Sequence, residues 1–118
     1  MKIPFTGRIL VLGCGAVSQC LLPLLLKHLD IDFSKLTIID FEDQRHLIQD
    51  TLDTGAIFVQ HHITPDDLTD TLAKHLSAGD LLIDLAWNID SLEIIQWCHD
   101  NDVLYINTST RSNHCFIF

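Results

Sequence analysis

"RILVLGCGAVSQCLLPLLL", residues 8–26, runs from an apolar block through two glycines into a second apolar block, and its reading decides the fold. Residues 8–12 are β-competent and unbroken, while the segment from Ala16 to about Leu29 is Leu-rich and of helical length. Gly13 and Gly15 make the connection a tight turn. The predicted order is strand, glycine turn, helix. Pro23 removes the amide that would bond the carbonyl of Gln19, which predicts a bend within the helix and not its end.

The same alternation continues downstream. "KLTIID" (residues 35–40) reads as a second strand and residues 42–52 as a second helix, with Gly55 resetting the chain. "AIFVQ" (residues 56–60) is a third strand, and Thr64-Pro65-Asp66-Asp67 supplies an N-cap, a proline at the first helical position and early negative charge for a helix reaching about Leu76. "LLIDLA" (residues 81–86) is a fourth strand. Asp90 and Glu93 have capping-box spacing for a helix to His99, and residues 104–107 form a fifth strand. Strands lacking clean alternation and separated by helices indicate a parallel sheet covered on both faces. The right-handed crossover rule then favours a Rossmann-like, doubly wound α/β sheet of about five strands in the order 3-2-1-4-5.

Ligands of such sheets bind beyond the C-terminal strand ends where the strand order reverses, which here is residues 13–17. Gly13 permits the turn, and Gly15 lets a pyrophosphate approach backbone that a Cβ would obstruct. Cys14, Ala16 and Val17 complete the turn and the helix N-terminus, whose N–H groups and dipole attract phosphate. The third fingerprint position, usually glycine, is Ser18. Asp40, ending the second strand, can accept hydrogen bonds from both ribose hydroxyls, and with Glu42 and Asp43 it repels a 2′-phosphate. The predicted cofactor is therefore NAD, with NADP disfavoured. An Asp that merely caps the next helix is the plainer alternative. Ala86 and Trp87, leaving the fourth strand, are candidate contacts to the nicotinamide half, with core packing an equal alternative for Trp87. Thr64 is a candidate on the adenine side, although capping alone would explain it.

A chain of 118 residues suits a single domain with one core. Its formal charge of −9, from 16 acidic and 7 basic residues, disfavours nucleic acid and anionic membrane as partners. The most apolar run, residues 21–26, is far too short to cross a bilayer and ends in Lys27, His28 and Asp30. The cysteines form no C-x-x-C pair and no export signal is evident, so a reducing cytoplasm is expected. His61 and His62 point to opposite faces of an extended strand, and the remaining histidines lack ligand spacing apart from His114 beside Cys115, so no metal site is assigned. No catalytic residue is assigned either.

Over residues 7–109 the chain resembles bacterial homospermidine synthases, within the wider saccharopine dehydrogenase-like proteins. The resemblance rests on "GRILVLGCGAVSQCLLPLLLKHLDIDFSKLTIID", "AIFVQHHITPDDL", "DLAWNIDSLEII" and "LYINTS". It implies an NAD that accepts a hydride from putrescine and returns it to an imine, after ammonia is lost and the aminobutyl group has passed to a second diamine. It also implies that most substrate contacts lie in a second domain, to which nothing here corresponds. Residues around Asn88 depart from the family, and after "YINTST" Arg111-Ser112-Asn113 replaces an acidic-proline-tryptophan segment. The expectation is an NAD-binding domain over residues 1–108 with a divergent tail over residues 109–118, truncated and inactive alone. Putrescine would bind only if a second domain or partner chain is supplied. The fifth strand and the apolar tail predict self-association, or a tail that adds a strand to its own sheet. A non-catalytic NAD-sensing module and a methyltransferase-like α/β enzyme are the competing readings. The spacing into "LPLLLKH" speaks against the latter.

Overall fold

The computed structural model describes residues 3–13, 16–64, 66–85, 91–107 and 116–117. Strand β1 (Ile9–Leu12) leads to helix α1 (Ala16–His28), β2 (Leu36–Asp40) to the short α2 (Gln49–Asp53), and β3 (Ile57–Gln60) to α3 (Leu68–His75). Then come β4 (Leu81–Asp84), α4 (Ser91–Asp100), β5 (Leu104–Asn107) and β6 (Phe116–Ile117). These strands form one sheet in the order β3-β2-β1-β4-β5-β6, parallel except for β6, which runs antiparallel to β5. The order expected for the first five strands is reproduced. The tail residues Phe116 and Ile117 add a sixth strand to the chain's own sheet.

All four residues of β1 are buried because the sheet is covered on both faces. Ile9 and Val11 face a cluster with Leu22 of α1 and Ile48, while Leu10 and Leu12 face Leu68 and Leu72 of α3 and Ile94 and Cys98 of α4. A side chain such as Leu72, 0% exposed, contributes about 1.5–3 kcal/mol by leaving water. Alternating residues of one strand thus bind two helical layers to a single sheet, which fixes its register.

Helix α1 continues through Pro23. The second helix is far shorter than the expected residues 42–52. Asp40 accepts the Glu42 amide at 2.9 Å, and Asp43 accepts the Arg45 amide at 3.2 Å. These side-chain bonds build turns that displace helix until Gln49. Thr64 does not cap α3 directly, since α3 begins at Leu68 after a turn in which the Asp67 amide donates to the Thr64 carbonyl at 3.1 Å. A two-residue parallel bridge, Ile3–Pro4 with Leu29–Asp30, was not expected from the sequence. Among the described residues no helix is long and apolar enough to cross a membrane.

Candidate cofactor-binding crevice

The C-terminal strand ends bring Gly13 and Asp40 together. Leu12 pairs with Ile39, and the Gly13 amide donates to the Ile39 carbonyl at 2.8 Å, one residue before Asp40. Gly13 has φ +95°, a left-handed conformation that a Cβ would strain, so its contribution is the turn itself. With that amide committed to β2, the amides available to a phosphate are those that follow. Helix α1 starts at Ala16, so the backbone N–H groups of Ala16 and Val17 belong to its first turn, where no intrahelical acceptor exists. Cys14, Gly15, Ala86 and Trp87 lie outside the described residues.

Asp40 is half-buried at the end of β2, and its backbone carbonyl receives the His61 amide at 2.9 Å. The Glu42 amide donates to Asp40 Oδ1 at 2.9 Å and orients the carboxylate. Nearby, Arg45 donates to Asp43 through Nε at 2.9 Å and Nη2 at 2.7 Å. That guanidinium bond is the largest influence bringing the Asp43 carboxyl down to about 2. The Arg45 cation, which would attract a 2′-phosphate, is therefore paired with Asp43, and the rim beside Asp40 stays acidic.

Thr64 stands on the β3 side of the crevice. Its amide donates to Asp67 Oδ1 at 2.7 Å, its hydroxyl reaches the same oxygen at 3.2 Å, and His61 Nε2 lies 2.8 Å from Asp67 Oδ2. The Thr64 amide is the main reason the Asp67 carboxyl sits below its ordinary value, with His61 adding to the effect and partial burial opposing it. The hydroxyl is thus engaged within the Thr64–Asp67 turn that precedes α3. Among the described residues no cluster of metal-ligating side chains occurs.

The sequence reading missed two features of this end of the sheet. Phe41, directly after Asp40, is 54% exposed, with its ring centroid 6.2 Å from that of His62, two residues beyond β3. An aromatic following a strand-end Asp was the available signal. Asp84 ends β4 as Asp40 ends β2, in the parallel phrases "LLID" and "TIID", yet it is 1% exposed and accepts a 2.9 Å hydrogen bond from the Tyr105 hydroxyl.

Comparison with known proteins gives this crevice its context. The chain is 31% identical to homospermidine synthase of Blastochloris viridis over 105 residues, covering 86% of this chain and 22% of the relative. It is 28% identical to homospermidine synthase of Mesorhizobium japonicum over 106 residues, covering 87% and 21%. The crystal structure of homospermidine synthase from Legionella pneumophila in complex with NAD superposes with a TM-score of 0.83 at 36% identity, covering 91% of this chain and 23% of that one. The chain therefore spans about a fifth of the length of these relatives. Residues 9–116 match the model of the saccharopine dehydrogenase NADP binding domain, and the chain belongs to that family.

Proposed function

We propose that this chain binds NAD across the ends of β2, β1 and β4, as the cofactor domain of a homospermidine synthase-type oxidoreductase and transferase. The observation that carries the reading is the juxtaposition of the Gly13 turn, the first turn of α1 and Asp40 at the point where strand order reverses. Residues 1–108 form the cofactor unit of this reading, and Cys14, Gly15, Ala86 and Trp87 remain its proposed contacts beside Ala16, Val17 and Thr64. When bound, NAD supplies reversible hydride acceptance. The residues of the chain seat the diphosphate on main-chain amides, fasten the adenosine ribose through the Asp40 carboxylate and reject a 2′-phosphate through the acidic rim. The family is named for NADP, but the charge arrangement at Asp40, Glu42 and Asp43 favours NAD.

Putrescine oxidation and aminobutyl transfer belong to the proposal only with a second domain or a partner chain, in the reducing cytoplasm that the free cysteines Cys20 and Cys98 suit. Self-association through a sheet edge remains part of it, and sedimentation showing only monomer at high concentration would remove that part. Calorimetric titration with NAD beside NADP tests the core of the reading. We expect NAD preference in the parent and a loss of about 1–3 kcal/mol in Asp40→Ala, the scale of a charge-assisted hydrogen bond. A folded parent that ignores NAD refutes it, and diamine turnover by residues 1–118 alone would contradict the expectation that they are inactive without a second domain or partner chain.

A further inference from the structure

The two edges of the sheet are finished differently. On one side the two-residue β6 runs antiparallel to β5, while on the other β3 pairs with β2 and has no further strand beside it among the described residues. The His61 amide donates to the Asp40 carbonyl at 2.9 Å, so the backbone groups of His61 face β2. Strand alternation then turns the N–H and C=O groups of Phe58 and Gln60 outward, as a template for another strand. Natural sheets block such a template with charge, proline or a bulge. Here "TGAIFVQ", residues 54–60, contains no charged residue and no proline, and the register of β3 on β2 runs without a bulge. Ile57 is 48% exposed. Phe58 is half-buried beside the α1 cluster and Val59 is half-buried on the α3 and α4 side, so both faces carry apolar surface out to the edge.

The occupant this edge suits is a second copy of the chain. A formal charge of −9 makes copies repel over most of their surface, but residues 54–60 bring no like charges together. An edge related to itself by a two-fold axis is also self-complementary. We propose that two copies pair antiparallel through β3, with Val59 on the axis and Phe58 of each copy opposite Gln60 of the other, the register in which the outward groups exchange hydrogen bonds. The two sheets then continue as one across the axis. Pairing of four-residue strands covers far less than the interface of a permanent dimer, so the association is weak and concentration-dependent. This pairing rests on the self-association named above, gives it an edge and a register, and is independent of NAD.

Sedimentation equilibrium and amide hydrogen exchange of the folded chain, each followed up to about 1 mM, test the pairing. The average mass should rise toward that of two chains, and exchange at the Phe58 and Gln60 amides should slow about 10-fold between dilute and concentrated samples. Ile57→Lys, at the exposed start of the same strand, should weaken association about 10-fold, whereas Leu104→Lys, on β5 and also 48% exposed, should leave it unchanged. A chain that stays monomeric throughout overturns this pairing and the broader self-association together. Association without slower exchange at Phe58 and Gln60, or association lost in Leu104→Lys and kept in Ile57→Lys, overturns the pairing and spares self-association by another surface. If Ile57→Lys does not fold, the exchange of the two amides in the parent decides.

Discussion

At the N-terminal end of the sheet, Asp80 is buried against a partner distant in sequence, whereas at the C-terminal end Asp40 is half-buried and accepts the Glu42 amide of its own turn. Asp80 is 5% exposed and receives the amides of Arg8 and Ser77, each at 2.8 Å, together with the Arg8 guanidinium at 3.0 Å. The strands start from this clamp, since the Leu81 amide donates to the Arg8 carbonyl at 2.9 Å. At the opposite end Gly13 turns away from the sheet, Asp40 is only half-buried and Phe41 stands in solvent. One residue type thus occupies two environments, and burial tells them apart. Asp80 joins segments 72 residues apart, while Asp40 stands at the strand end where the proposed ligand would meet it.

The contrast breaks first at Asp80. Replacing it with Ala leaves the Arg8 and Ser77 amides and the Arg8 guanidinium without this acceptor, and we expect about 3 kcal/mol less stability by urea denaturation, with NAD affinity unchanged well below the melting temperature. Burial alone would raise the Asp80 carboxyl from its ordinary 3.8, but the Arg8 and Ser77 amides and the Arg8 guanidinium prevail and lower it. Because the folded-state value is depressed, its contribution is complete above about pH 4 and is lost as pH falls through the folded value. The parent should therefore show an acid-side slope in stability that is reduced in Asp80→Ala. Equal slopes in the two proteins would assign the acid sensitivity elsewhere.

Gly7→Ala probes the same end at smaller scale. A Cβ there would meet the Gly79 carbonyl oxygen at 2.7 Å and Asp80 Oδ1 at 3.0 Å, both within the clamp. We expect a loss of about 2 kcal/mol, read as a lower denaturation midpoint at constant slope. At the open end, Phe41→Ala should leave the denaturation curve in place and weaken NAD by about 1 kcal/mol through lost contact with the adenine side. A stability loss larger than the affinity loss would move Phe41 from the ligand side of the comparison to the structural side.

Short-range signals made most of the architecture legible. The Gly13 turn, the apolar strands and the Asp40 position were all readable, and the fifth strand was placed at its observed limits, residues 104–107. The second helix was overestimated because apolar spacing does not register the Asx-type bonds from Asp40 and Asp43 that bend the chain first. The clamp and the Asp84–Tyr105 bond were invisible for a different reason. Arg8 and Asp80 are 72 residues apart, and Asp84 and Tyr105 are 21 apart, so their pairing emerges only once the strands are registered.

The central position of β1 also bears on how the chain acquires its structure. One flank of β1 is completed by β2 soon after it in sequence, but the other waits for residues 81–84. During synthesis or refolding, a wholly apolar strand therefore carries a bare edge until residues 81–84 are in place, a high-contact-order arrangement that slows assembly and exposes partly made chains to aggregation.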